Sequence, residues 1–178
     1  MTDFSAYNLN EVLNKSLKNI NFKSPTPIQE KSIPLILKGN DILGSAQTGT
    51  GKTAAFCIPI LELLMKSSRG SLLVMIPTRE LAKQVLDVID SLLGFKSSIN
   101  TATLIGGESM SKQLSELKKR PRIYVGTPGR INDHLQRGSL NLHDAKYLVL
   151  DETDRMLDMG FEVQINKIIK FLPKTKQV

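Results

Sequence analysis

A single cysteine, Cys57, rules out any internal disulfide. It sits in an apolar stretch and reads as a buried structural thiol rather than a nucleophile. Histidine is almost as scarce. His134 and His143 are the only two, and neither stands at metal-ligand spacing from the cysteine, so zinc is not expected. Long apolar runs are missing as well: no stretch approaches the roughly 20 residues that cross a bilayer. The start, MTDFSAYNLN, lacks the basic head and apolar body of a secretory signal. A cytoplasmic protein is the expectation. No serine beside a base suggests acyl transfer, and no internal repeat, low-complexity tract or dividing linker is visible. The 178 residues are therefore expected to form one domain, 1–178, long enough to bury a real core.

What remains is ordinary in bulk and specific in detail. Hydrophobic residues make up 40% and charged residues 23%, the balance of a soluble globular chain. The net charge of +7, from 24 basic against 17 acidic residues, favours a polyanionic partner but also suits simple solubility. Basic residues gather at Lys112, Lys118, Lys119, Arg120 and Arg122, and again at Lys167, Lys170, Lys174 and Lys176. Such runs are usually solvated faces.

The most informative stretch is AQTGTGKT, Ala46, Gln47, Thr48, Gly49, Thr50, Gly51, Lys52 and Thr53. Gly49 and Gly51 let the backbone turn tightly, so that successive N–H groups and the next helix N-terminus can point at phosphate oxygens. Lys52 adds a mobile positive charge, and Thr53 places a hydroxyl where phosphate-bound Mg²⁺ would sit. Only the first glycine of the Gly-x-x-x-x-Gly-Lys-Ser/Thr pattern is replaced, by Ala46. The short apolar run Ile42–Leu43 predicts a strand leading into the loop, and the apolar pattern after it predicts a helix. The bland alternative is a glycine-rich turn before a helix. A dinucleotide fingerprint is unsupported, because Ala54 stands where the third glycine would be.

Taken in order, apolar residues at Leu9, Val12, Leu13, Leu17 and Ile20 follow helical spacing, with Asn8 or Asn10 as the cap. Pro25 and Pro27 stiffen the entry to a second helix, which carries Gln29 and is expected to end or kink near Pro34. Gln29 can both donate and accept, so it could read the N6 and N7 edge of adenine, with Phe22 stacking on the ring. An exposed helical glutamine and a core phenylalanine are the plainer alternatives. Helices are then expected over 54–65, 80–93, 110–119, 131–136 and 162–171. Strands are expected at SLLVMIP, TATLIGG, RIYVGTPGR and YLVLDETD.

This alternation predicts an α/β fold: a doubly wound, mainly parallel sheet with helices on both faces. Ligands of such sheets bind at the carboxyl ends of the strands, so the loops starting at Ser45, Pro77, Gly106, Thr127 and Asp151 should share one rim. Asp151 and Glu152 end an apolar strand abruptly. Asp151 could hold Mg²⁺, commonly through water, and Glu152 could orient and deprotonate a water attacking a γ-phosphorus. Alone, such a pair would more often cap a helix.

With these motifs in hand, the chain resembles the first RecA-like domain of a DEAD-box RNA helicase, of bacterial type, over nearly its full length. Phe4, FKSPTPIQ, AQTGTGKT, PTRELA, Gly106-Gly107, TPGR and DETD follow in the family's order. The resemblance implies ATP and Mg²⁺ as cofactors. It implies that Gln29 reads adenine with Phe22 near the base, that Thr48 to Thr53 hold phosphates and metal, and that Lys52, Asp151 and Glu152 serve catalysis. It further implies that Asp154 couples the ATP site to the rest of the machine. RNA would be held, without regard to sequence, by Pro77, Thr78, Arg79, Glu80, Gly106, Gly107, Thr127, Pro128, Gly129 and Arg130. Backbone amides, a helix N-terminus and the two arginines suit sugar and phosphate contacts, and contacts to the 2′-hydroxyl would favour RNA over DNA. On the residues alone, turns at the two glycine elements and capping by the arginines serve as well.

Two departures from the family pattern stand out. Thr153 occupies the third place of the Asp-Glu-Ala-Asp motif, which holds neither metal nor base. The chain also stops at LPKTKQV, where the family continues into a strand carrying Ser-Ala-Thr and a second RecA-like domain with its arginine fingers. The span alone is thus expected to bind nucleotide but not to unwind RNA, and an unpaired sheet edge could promote self-association. Two further readings stay open: an ATP-controlled RNA clamp without enzymatic turnover, and a phosphate-loop ATPase acting on a protein partner.

Overall fold

A computed structural model describes residues 3–47, 49–94 and 97–178. The chain divides into two compact units, one of residues 1–68 with 87–98 and the other of 69–86 with 99–178. Among the described residues, no helix is long and apolar enough to cross a membrane.

The first unit is helical. A short 3₁₀ turn, Phe4–Tyr7, precedes α1 (Glu11–Asn19), whose start is capped by Asn10: its side-chain oxygen accepts from the Leu13 N–H at 3.0 Å. The Asn10 N–H donates in turn to the carboxylate of Glu62 at 2.8 Å. Glu62 is wholly buried and lies in α3 (Lys52–Lys66), so one carboxylate ties the first long helix to the third. Between them runs α2 (Pro27–Leu37), opened by Pro27 at its first position, where a missing N–H costs nothing. The helix expected to end or kink near Pro34 does not end there. Pro34 lies inside α2, which continues to Leu37 and stops at Gly39, whose φ of +84° suits glycine.

The expected strand before the phosphate loop is also absent. Residues 41–47 are neither helix nor strand, and Leu43 is fully exposed. Two apolar residues put one side chain on each face of a strand, and among the described residues no strand pairs with them.

The second unit carries the sheet. Its four strands, β1 (Ser71–Met75), β2 (Thr101–Leu104), β3 (Ile123–Gly126) and β4 (Ala145–Leu150), are all parallel in the order β2-β3-β1-β4. Every residue of β1 is buried, so both faces of this central strand are covered, as its unbroken apolar run predicted. Leu73 and Met75 point into a core with Leu104, Tyr124 and Leu148. That core is completed by Ile131 and Leu135 from α6 (Pro128–Gln136), Met156 from α7 (Thr153–Asp158), and Ile165 and Ile168 from α8 (Glu162–Ile169). The remaining helices are α4 (Arg79–Leu93), whose residues fall partly in each unit, and α5 (Met110–Lys118). At the outer edge of β4, Gln177 makes an isolated parallel bridge to Tyr147.

The register lines up the strand ends. Leu104, Gly126, Met75 and Leu150 form one row across all four strands. The ladder continues one step beyond: Thr127 N donates to Leu104 O at 3.0 Å, Ile76 N to Gly126 O at 3.0 Å, and Asp151 N to Met75 O at 3.1 Å. The turns that begin near Pro77, Gly106, Thr127 and Asp151 therefore leave the sheet along one edge, as a parallel α/β sheet requires. Ser45, expected on the same rim, lies in the other unit and follows no strand.

Candidate functional site

In the first unit the phosphate loop runs into α3 without an intervening turn. Gly49 has φ +82° and Gly51 has φ +86°, left-handed backbone that a side chain would strain. Lys52 and Thr53 open the helix, where amides without intrahelical acceptors and the helix dipole favour an anion. Ala46 and Thr50 are half-buried, while Gln47 and Gly49 are exposed. The Thr50 hydroxyl donates to the Gln47 carbonyl at 2.7 Å, tightening the loop on itself. Thr48 lies outside the described residues.

Gln29 proves to be neither exposed nor idle. It is 2% exposed, its Oε1 accepts from the Thr26 N–H at 3.0 Å, and its Nε2 donates to the Gly51 carbonyl at 3.0 Å. The amide therefore fastens α2 to the phosphate loop, and one donor and one acceptor position remain on it for a further partner. Phe22 is half-buried and stacks on Phe4 with ring centres 6.3 Å apart and planes inclined by 30°. Phe4 meets Tyr7 edge-on at 6.1 Å. These three rings make a small aromatic layer beside the start of α2's sequence.

In the second unit the row of strand ends carries the other elements. Pro77 is buried, and the Thr78 hydroxyl accepts from the Leu81 N–H at 3.3 Å, capping α4. Arg79 and Glu80 are exposed in that helix's first turn. The Arg79 guanidinium lies over Gly107 so closely that a Cβ there would overlap it, and Gly107 has φ +77°. Gly106 is half-buried. Thr127 and Pro128 start α6, with Gly129 and Arg130 in its first turn. Arg130 donates from Nη1 to the Glu108 carbonyl and to Gln113 Oε1, both at 3.3 Å, which joins this helix to the turn after Gly107.

At the end of β4, the Asp151 carboxylate accepts from the Glu152 N–H at 3.1 Å. Glu152 has φ +52°, a left-handed conformation in a residue with a side chain, which costs on the order of 1–2 kcal/mol. Strained backbone of this kind gathers at functional positions. Its carboxylate faces Arg155 at 3.4 Å, a partly exposed pair of small energetic weight. Thr153, the departure from the family motif, has a structural use: its hydroxyl donates to the Leu150 carbonyl at 3.0 Å. Asp154 is exposed in the first turn of α7.

Thr53 in the first unit carries a hydroxyl and Asp151 in the second a carboxylate, each by itself an oxygen donor of the kind that suits a hard cation such as Mg²⁺. The glycine-supported loop and the start of α3 offer N–H groups and Lys52, the donor type that suits phosphate.

One buried polar group lies outside every motif of the sequence. His134, without metal-ligand spacing, and Gln113, in no motif, are both completely buried and hydrogen-bonded to each other at 2.9 Å. The signal for Gln113 was present: it stands between Met110 and Leu114–Leu117 on the inward stripe of α5, a polar residue at an apolar position.

A parallel α/β sheet with its polar turns along one edge, together with a glycine-lysine-threonine loop opening a helix, defines the class of phosphate-loop nucleotide-binding proteins. The narrower assignment comes from comparison. The DEAD/DEAH box helicase model matches residues 26–178, and the chain belongs to that family. It is 47% identical over 178 residues to an ATP-dependent RNA helicase, CshA, of Listeria monocytogenes, covering 99% of this chain and 34% of the relative. It is 44% identical to the ATP-dependent RNA helicase DeaD of Haemophilus influenzae, over 99% of this chain and 30% of that protein. The crystal structure of a DEAD box protein from the hyperthermophile Methanococcus jannaschii superposes with a TM-score of 0.93 at 43% identity, over 99% of this chain and 48% of that one. The RecA-like α/β fold is thereby shown. The chain spans about a third of the length of the curated relatives it matches.

Proposed function

We propose that this chain supplies the ATP-binding and one RNA-binding surface of an ATP-dependent RNA helicase, in which ATP binding and hydrolysis drive local opening of duplex RNA. The observation that carries this is the single row of strand ends. It brings Pro77–Glu80, Gly106–Gly107, Thr127–Arg130 and Asp151–Glu152 to one edge of the sheet, so that three turns with glycines or arginines lie along the same edge as a carboxylate pair.

In this reading the backbone amides of 46–53 and the Lys52 ammonium hold the phosphates of ATP, and Gln29 and Phe22 select the adenine. Thr53 and Asp151 hold Mg²⁺, largely through water. When bound, Mg²⁺ neutralises phosphate charge during transfer. Glu152 accepts a proton from the water that attacks the γ-phosphorus in line, and the phosphoryl group leaves from ADP. Arg79, Thr127, Arg130 and the amides near Gly107 hold the RNA backbone and read no bases. Asp154 links the ATP site to a second RecA-like domain in a longer protein. The setting is cytoplasmic, and this span by itself binds nucleotide without unwinding.

The test is ATP turnover by a two-domain protein containing this chain, with and without single-stranded RNA. RNA should stimulate hydrolysis. Glu152→Gln should keep ATP and RNA binding while lowering turnover at least about a hundredfold, the size of a general-base contribution. Full turnover in Glu152→Gln would refute the catalytic reading, and turnover indifferent to every RNA would favour a protein partner instead.

A further inference from the structure

The second unit buries an amide and an imidazole that the ATP chemistry does not use. Gln113 and His134 are both 0% exposed, on α5 and α6. Gln113 Nε2 donates to the carbonyl of Ile105 at 2.7 Å, and Ile105 immediately precedes the Gly106-Gly107 turn. Its Oε1 lies 2.9 Å from His134 Nε2 and 3.3 Å from Arg130 Nη1. Because Oε1 can only accept, the proton of the neutral ring sits on Nε2, while Nδ1 lies 2.8 Å from the Ser139 hydroxyl, which is also within 3.1 Å of the His134 carbonyl. The network reaches further: Arg130 Nη1 also donates to the Glu108 carbonyl. The Glu108 carboxylate faces Lys83 at 3.6 Å and Lys112 at 3.5 Å.

A buried polar pair needs a reason. An apolar pair of similar shape is often as stable, so hydrogen-bonding alone does not explain why glutamine and histidine occupy these places. Their arrangement does. One amide touches the turn of one polyanion-binding element through Ile105 and the guanidinium of the other through Arg130. With Nη1 held and Nε facing Asp133 at 3.7 Å, the Nη2 donors of Arg130 remain uncommitted among the described residues.

We propose that Gln113 and His134 are positioning residues for RNA binding: the buried pair sets the spacing between the Gly106-Gly107 turn and the Arg130 guanidinium while touching no RNA. This rests on the reading of those two elements as the RNA groove. His134 fixes the Gln113 amide by donating to its oxygen, and the amide orients Arg130. The pair thus acts on affinity through a phosphate contact rather than through any base.

The test is binding of a fluorescent single-stranded oligouridylate to this chain across a salt series, with folding followed by thermal melts. Arg130→Ala should weaken binding about tenfold, the scale of a charge-assisted hydrogen bond, and reduce the salt slope by about 0.7, one phosphate contact on a single strand. Gln113→Met should reproduce both changes in a folded protein. The double variant should be no weaker than Arg130→Ala, since the residues act as a unit. His134→Leu should behave like Gln113→Met, whereas His134→Gln, which can still donate to the amide, should retain binding; this pair decides the matter if Gln113→Met does not fold. Unchanged affinity and slope in folded Gln113→Met, beside a loss in Arg130→Ala, would overturn the proposal. So would additive effects in the double variant. If Arg130→Ala binds like the unaltered chain, or the chain binds no RNA, the groove reading fails. Nitrogen-15 resonances of the Arg130 side chain then judge the pair alone: guanidinium motion unchanged by Gln113→Met refutes it.

Discussion

Replacing Gly51 by alanine separates two costs that the structure places at one residue. Gly51 has φ +86°, so any side chain there adopts left-handed backbone at roughly 1–2 kcal/mol. A Cβ would also lie 2.5 Å from Gln29 Nε2 and 3.2 Å from Thr26 Oγ1. Gln29 is buried, so its amide has little room to retreat, and moving it breaks the bonds to the Gly51 carbonyl and from the Thr26 N–H. Two hydrogen bonds at about 1 kcal/mol each add roughly 2 kcal/mol. Gly51→Ala should therefore cost about 3–4 kcal/mol. Gly39→Ala is the control. Gly39 has φ +84° in the same unit, but a Cβ there meets nothing within 4 Å, so it should cost only the backbone strain, roughly 1–2 kcal/mol. Urea midpoints at equal m-values measure the difference, and melting should fall by about 6–16 °C for Gly51→Ala at this chain length. Equal losses in the two variants would show that the Gln29 contact carries no energy and that strain alone governs the loop.

Two other outcomes follow from the second unit. Gly126→Ala should destabilise by about 1–3 kcal/mol through overpacking, because a Cβ at Gly126 would fall on the carbonyl oxygen of Leu104 in the neighbouring strand; urea unfolding within a few tenths of a kcal/mol of the unaltered chain would refute the close approach of β2 and β3. Burial, reinforced by Arg130 and Arg137 and opposed by Asp133, lowers the His134 pKa from its ordinary 6.5. As pH falls, the unfolded chain therefore takes up this proton before the folded one. His134 contributes full stability above about 6.5, and that contribution shrinks as pH drops through the ordinary histidine range toward the folded value. Urea midpoints between about pH 8 and 5 should fall less steeply for His134→Gln, and identical slopes would contradict the assignment.

Much of the molecule was legible because its signals are local. Glycines beside Lys52 and Thr53, the buried run of β1 and the apolar stripe of α4 act over a few residues, through backbone conformation and side-chain period. The helices expected over 80–93 and 110–119 appear as Arg79–Leu93 and Met110–Lys118. The failures were also local in origin. The end of α2 expected at Pro34 does not come there: a proline removes one N–H and crowds one turn, and the buried Ile33 and Ile36 beside it hold the helix to the core as far as Leu37. The strand expected at Ile42–Leu43 was read from two residues, too few to establish a ladder without a neighbour. The short helix α7 was not expected, since Glu152 enters it through left-handed backbone that residue type does not announce.

By itself the sequence determined the class of fold, the phosphate loop, the carboxylate pair and membership of the family, because each depends on residue types at short spacing. Only the tertiary structure decided which distant groups meet. Strand register aligned Leu104, Gly126, Met75 and Leu150 and so placed four turns on one edge. Folding turned Gln29 inward to the Gly51 carbonyl and joined Gln113 to His134 and Arg130. The physical reason is that a hydrogen bond between residues tens of positions apart is selected by the cost of leaving buried polar groups unpaired, and burial is a property of the folded chain alone.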